Sequence, residues 1–349
     1  MTRAELLARL GQGDIFANED FSGLDLSGAE LTGGIFEEVS FAGANLTAAD
    51  LTESLVSQSN FAGANLTRAK LRHTVLDHCS LKGATLDGAD LTAARLIECD
   101  LTGASLADAN LIIAVLTGPK LVNASLARAN LDRTALVDAD TTNINLAGAV
   151  LKQTVLLKAD LTGATLTGAR LELAVLHEVK LARLDLRGMD FTLCQLMGAD
   201  LRGCDLTGAK LTKCNFKDAL LEETKLDEAK LENALFVGAK LRQASLRSAR
   251  LFQSVLNEAD LTGADCTKAN LEQCLFHRAV CRGVRFNGAE LTYADFSHAD
   301  VSLSDFSDAT LYRTRFHKTK MDETTFTSRS AALGDDELLA EAEDWQPTH

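Results

Sequence analysis

From Phe21 to Phe326 every fifth residue is large and apolar, and the residue two before it is small. The series opens Phe21, Leu26, Leu31, Phe36, Phe41, Leu46, Leu51 and closes Phe306, Leu311, Phe316, Met321, Phe326. Of its 62 units, 43 are centred on Leu and 13 on Phe; Val56, Thr141, Cys266, Cys281, Val301 and Met321 fill the rest. Two residues earlier, all but six positions hold Ala, Cys, Ser, Thr, Val or Gly. Such a fixed period predicts a repeat architecture over any other fold.

A helix would not bring every fifth residue to one face; the Leu side chains would spiral round its surface. A single strand would point them to alternate faces. The period fits a short straight edge followed by a corner, with the large residue and its small partner both turned inward. Four such edges then close a square coil, and the coils stack through β-type hydrogen bonds.

The units read Ala44-Asn45-Leu46-Thr47, Ala89-Asp90-Leu91-Thr92, Ala159-Asp160-Leu161-Thr162 and Ala259-Asp260-Leu261-Thr262. This resembles the pentapeptide-repeat family, with its A(D/N)LXX pattern. The resemblance implies an all-β fold, a right-handed quadrilateral β-helix solenoid of about 15 coils, here with short terminal capping helices. It says little about function, since one fold hosts many functions.

The unbroken phase predicts one repeat domain over 19–328, preceded by a capping helix and lead-in (1–18) and followed by an acidic helix and tail (329–349). At about 4.8 Å per coil the repeats would form a rod of roughly 75 Å. Only Pro119 and Pro347 occur. Pro119, with Ile112, Ile113, Thr141 and Ile144 nearby, predicts irregularity between residues 112 and 145. Thr2-Arg3-Ala4-Glu5 forms a capping box ahead of Leu6, Leu7 and Leu10, and Gly11 ends the helix. A second helix is expected over Asp335–Trp345, with Leu338, Ala342 and Trp345 on one side. Both helices would cover the open edges of the terminal coils; the second could instead dimerise the chain.

The opening residues lack the apolar core of a secretory signal, and no run approaches the roughly 20 apolar residues of a membrane span. Cys79, Cys99, Cys194, Cys204, Cys214 and Cys274 hold the small inward position, and Cys266 and Cys281 the large one. Reduced core thiols in a bacterial cytoplasm are expected. No phosphate-binding loop, zinc motif or nucleophile elbow is present, so neither catalysis nor a cofactor is expected. Wrapping the chain modulo 20 puts His78, His177, His277, His298 and His317 on one face. With no carboxylate cage beside them in the sequence, they read as solvated and no metal is expected.

Proteins conferring quinolone resistance belong to the resembled family, and the resemblance implies DNA mimicry directed at gyrase. The net charge is −14. Residues 329–349 carry −5 and 1–18 balance, leaving −9 on the repeats and no more than −3 on any face. A duplex as long as the expected rod would carry about 44 charges. The acids thus favour DNA mimicry weakly, and direct nucleic-acid binding not at all.

One outward column is different. Just before the central residue, the face of Phe36 reads Ile35, Leu55, Val75, Arg95, Val115, Ala135, Val155, Val175, Gln195, Asn215, Leu235, Val255, Leu275, Asp295, Arg315. Ile97, Val137 and Met197 follow the central residue where that column turns polar or small, and Leu157 and Val237 add to the band. Apolar surface of this extent marks an interaction site. A preference of β-branched residues for strands would be expected on all four faces alike. The sequence therefore predicts a scaffold binding a protein partner, or a second copy, through this face. Gly23-Leu24-Asp25-Leu26-Ser27-Gly28-Ala29, behind the N-terminal helix, also resembles pentapeptide proteins of bacterial type VI secretion effector loci, which implies an accessory role. Regulation of gyrase by DNA mimicry is the alternative.

Overall fold

The computed structural model describes residues 1–345. The chain forms two compact units, Met1–Lys180 and Leu181–His349, although the repeat phase gives no mark at their junction. Each is a parallel β-solenoid, about 16 turns in all, with a short helix at one end.

The first unit opens with α1 (Arg3–Leu10) and contains eight strands: β1 Ile15–Ala17, β2 Ile35–Glu37, β3 Leu55–Ser57, β4 Val75–Asp77, β5 Arg95–Ile97, β6 Val115–Thr117, β7 Ala135–Val137 and β8 Val155–Leu156. They form one parallel sheet in chain order, each strand one full turn beyond the last. The other three sides pair through single bridges, such as Asp20↔Ser40, Asp25↔Asn45 and Glu30↔Asp50. In the second unit β9 (Asp305–Phe306) and β10 (Thr325–Phe326) pair, isolated bridges join the other turns, and α2 (Glu337–Asp344) follows.

One hydrogen-bond set explains the five-residue unit. Phe21 N–H donates to the Ser40 carbonyl (2.7 Å), Ser40 N–H to Glu19 (2.9 Å) and Gly23 N–H to Ala42 (2.9 Å), while Leu24 N–H closes a turn on Phe21 (3.2 Å). Leu206 repeats the pattern in the second unit, through Lys225, Asp227 and Ala209. The unit is thus a one- or two-residue bridge plus a β-turn, which turns every central side chain inward. Phenylalanines stack along the core, Phe41 on Phe61 at 4.8 Å and Phe276 on Phe296 at 4.4 Å between ring centroids.

The corner residue two after the centre lies in the left-handed region, as at Gly103 (φ 67°) and also at Ile113 (φ 53°). Glycine recurs there because of this backbone conformation, and not merely for want of bulk. The position two before the centre is small for lack of room. Its hydroxyl or thiol also satisfies a buried carbonyl about one turn back: Ser54 on Leu31 (2.8 Å), Thr74 on Leu51 (2.7 Å), Cys214 on Phe191 (2.8 Å).

All eight cysteines are buried, and none is in a disulfide among the described residues. Burial pushes the Cys204 thiol up to about 11 and Cys274 to about 12, so they are thiol donors and not thiolates.

The ladder passes Pro119 intact, and the expected irregularity comes further along, at residues 140–143. The ladder continues through Lys120↔Asp140 and Ser125↔Asn145, and the Pro119 carbonyl still accepts from Asp140 N–H at 3.0 Å. At Val39, which holds the equivalent corner of an earlier turn, the N–H donates to the Ser59 side chain. Proline at such a position therefore removes no ladder bond. Among the described residues no bridge joins Asp140 to Asp160, and the hydroxyl of Thr141, at a central position, bonds the Asp160 carbonyl (2.8 Å) where its N–H does not.

The two helices attach differently. Thr2 and Glu5 form the expected capping box, Leu6 is buried, and Arg9 pairs with Asp14 and Glu19 while lying over the Phe16 ring. No residue of α2 is buried. The side of α2 expected to pack faces solvent, with Leu338 79% and Trp345 72% exposed. Polar contacts hold this helix instead. Residues 331–333 pair with 313–316 beneath it, Phe316 N–H donating to Leu333 and Leu333 N–H to Thr314, which shields part of the terminal edge.

Candidate interaction face

The outward columns are of two kinds. Where Asp or Asn precedes the central residue, its side chain accepts the N–H two positions on. Asn45 takes Thr47 (3.2 Å), Asp90 takes Thr92 (3.1 Å), Asp160 takes Thr162 (3.2 Å) and Asp260 takes Thr262 (3.1 Å). This is an Asx turn, and it accounts for the D/N of the repeat: the acid pins the corner.

Many of the same acids pair with a base one turn away: Asp50 with Lys70, Asp160 with Lys180, Asp190 with Lys210, Asp260 with Arg242, Asp300 with Arg282. The carboxyls of Asp160 and Asp205 are held below the usual range by the hydroxyls and N–H groups of Thr162 and Thr207. For Asp50, burial pulls the carboxyl upward, but bonds from Thr52 and Lys70 outweigh it and leave it at about 2. The acids are thus engaged in the solenoid's own corners and ion pairs.

The second kind is the apolar column. In the first unit the register aligns Ile15, Ile35, Leu55, Val75, Arg95, Val115, Ala135, Val155 and Val175. Ile15 (55%), Leu55 (50%) and Val115 (40%) are exposed; Ile35, Val75, Val155 and Val175 are half-buried. In the flanking column Leu157 is exposed and Ile97 and Val137 are half-buried, so apolar side chains do stand beside Arg95 and Ala135. In the second unit Gln195, Asn215, Leu235, Val255, Leu275, Asp295 and Arg315 follow one another, and Leu333 continues the column beside Arg315. There Leu235 and Leu275 are exposed, while Val255, Met197 and Val237 are half-buried.

Sequence reading missed both ends, Ile15 and Leu333. Ile15 was in phase, one full turn before Ile35, but Asp14 breaks the small-residue rule ahead of Phe16. The expectation that strand preference would act on all four faces is also corrected. In the first unit only this side forms strands of two or three residues, so β-propensity has one face to act on.

The family model "Pentapeptide repeats (8 copies)" matches residues 20–58, 59–96, 84–118, 109–140, 142–178 and 174–212, and that for a "Pentapeptide repeat region" matches 209–279 and 249–326. The chain belongs to the pentapeptide-repeat family. Among solved structures, it is similar to a trypsin-treated form of QnrB1, described as a plasmid-mediated fluoroquinolone resistance protein. Identity is 20% and TM-score 0.33, covering 52% of this chain and 89% of that one. It is also similar to HetL, a pentapeptide-repeat protein involved in heterocyst differentiation regulation in the cyanobacterium Nostoc sp. strain PCC 7120. There identity is 26% and TM-score 0.20, covering 90% of this chain and 96% of that one. Comparison with curated proteins gives no match. No helix among the described residues is long and apolar enough to cross a membrane.

Proposed function

We propose that this pentapeptide-repeat protein is a non-enzymatic scaffold that docks a protein partner, or a second copy of itself, on the apolar sheet face of its first unit. The observation that carries this reading is the in-register column from Ile15 to Val175, with Ile97, Val137 and Leu157 beside its gaps. Each apolar side chain removed from water on docking contributes in proportion to its buried area, about 25 cal/mol per Å². The column repeats in register every turn, so a like face can complement it as a foreign one can. Leu235, Val255 and Leu275, with Met197 and Val237, offer a smaller patch of the same kind on the second unit. Buried thiols outside disulfides support a cytoplasmic setting, and the likeness of residues 23–29 supports an accessory role beside a secretion effector.

Gyrase regulation by DNA mimicry is the competing reading. Its support is the acidic balance, and the commitment of those acids to corners and ion pairs weakens it.

The test replaces Leu55, Val115, Val155 and Val175 by Thr, which keeps a β-branched strand former and removes the apolar surface. The control replaces Thr85 and Thr165, on another face, by Ser. Capture or self-association lost only in the first variant supports the proposal; loss in neither refutes it. Gyrase supercoiling inhibited equally by wild type and the first variant would favour the alternative.

A further inference from the structure

His298, His317 and Glu343 meet where α2 lies against the second unit. His298 Nε2 is 3.1 Å from Glu343 Oε1 and His317 Nε2 is 3.4 Å from Glu343 Oε2. The candidate donor atoms of all three residues fall within 4.8 Å of one another. The imidazoles come from adjacent turns and the carboxylate from the helix that follows the last turn, so no local motif announces the cluster. It supplies the carboxylate that the histidine face lacks in the sequence.

We propose that this cluster binds a divalent first-row transition ion, Zn²⁺ being the species used to test it, and that the bound ion fastens α2 to the solenoid. Two imidazoles and one carboxylate are a donor set suited to such ions rather than to Mg²⁺ or Ca²⁺. Ligand bonds of about 2.0–2.1 Å in a tetrahedron set donor atoms about 3.3 Å apart, and each imidazole nitrogen already stands near that distance from a Glu343 oxygen, His298 from Oε1 and His317 from Oε2. Rotation of the partly exposed His298 and Glu343 side chains brings one oxygen and both nitrogens to that spacing, from separations that do not exceed 4.8 Å.

His317 is fully buried, its ring fixed by an edge contact with His298, which in turn meets His277. A pre-positioned ligand of this kind costs little ordering on binding. An open groove lined by His277, Arg278, Lys318 and Asp344 reaches the cluster and gives water access to the fourth position.

Two local contacts must adjust. Asp336 N–H donates to His317 Nδ1 (3.1 Å), which puts the ring proton on Nε2. Metal binding there moves the proton to Nδ1 through solvent, and Asp335 Oδ1, 3.8 Å away, is the acceptor at hand. Lys318 Nζ lies 3.2 Å from Glu343 Oε2 and 2.7 Å from Asp344 Oδ1, so it keeps a partner when Glu343 turns to the ion. Polar contacts of this kind, with Lys318 Nζ also donating to the Ala340 carbonyl (3.5 Å), hold α2, and an ion here would therefore control its attachment.

Trp345, the only tryptophan, directly follows α2 and reports the experiment. The full-length protein is titrated with ZnCl₂ by calorimetry while Trp345 emission is followed, with MgCl₂ as the control ion. The expected result is one Zn²⁺ per chain with a coincident change in emission, and no response to Mg²⁺. Glu343→Gln and His298→Ala should each weaken binding at least about tenfold, and His78→Ala, on the other unit, should not. Failure of His298→Ala to fold leaves Glu343→Gln to decide. No saturable Zn²⁺ binding by wild type, or binding by Glu343→Gln as tight as wild type, overturns the proposal.

Discussion

The corresponding outward columns of the two units have opposite local outcomes. In the first unit the column is apolar but for Arg95, with Ala135 small, and forms eight strands. In the second it includes Gln195, Asn215 and Asp295, and from 195 to 295 it makes only single bridges. Asn215 accepts from Lys217 N–H (3.1 Å) and Asp295 from Ser297 N–H (2.9 Å), the corner-pinning bond. Stacked turns must match in conformation to bond, so these residues also hold Leu235, Val255 and Leu275 in the bridge form. The inward residues are alike in both units. Outward residues bias the choice between strand and corner without deciding it alone: Arg95 lies in β5, Val175 makes only a single bridge, and Asp305, although pinned by Ser307 N–H, lies in β9.

The largest test concerns what the units share. Leu156→Asp buries an unpaired charge in the first unit and should cost more than about 4 kcal/mol, seen as loss of its cooperative melting transition. A small effect would place Leu156 outside the core and undo the inward phase. Next, Gly34 lies under the Phe36 ring so closely that a Cβ would collide with it. Gly34→Ala should lose about 1–3 kcal/mol in urea unfolding, although alanine is the usual residue there; an unchanged midpoint would show the ring free to move.

Acid should then weaken both units through their Asx corners. The Asp160, Asp205 and Asp305 carboxyls are lowered, chiefly by side-chain bonds from Thr162, Thr207 and Ser307, and Asp50 stands at about 2. A lowered folded-state value means that stability is complete above about pH 4 and falls as the pH drops towards 2. Melting at pH 7 and pH 3 checks this; equal melting temperatures would contradict it. The smallest effect is Asn215→Val, which removes a corner bond and adds a strand former. Stability should change within about 0.5 kcal/mol, while backbone chemical shifts of residues 215–217 move towards strand values.

The fold was legible because a period of five admits one geometry, and the inward set followed from it. The outward face was legible by the same wrapping. The reason for the acids was not, because an Asx bond depends on where a corner places the following N–H, which spacing alone does not give. Likewise Leu338, Ala342 and Trp345 suggested an apolar packing side for α2. The helix is held instead through Glu343 and Asp344, by His298, His317 and Lys318 on turns that only folding brings near. Periodicity reports contacts between repeats and is silent about a tail folding back on them.

The central claim is that the Ile15–Val175 column is a binding surface and not merely a by-product of strand formation. Sedimentation velocity on wild type and on the variant carrying Thr at 55, 115, 155 and 175, each alone and with any captured partner, tests it most directly. The account predicts unchanged circular dichroism and association weakened at least about tenfold in the variant, since two exposed and two half-buried outward apolar side chains are lost from the contact. Association equal to wild type in a folded variant would contradict it.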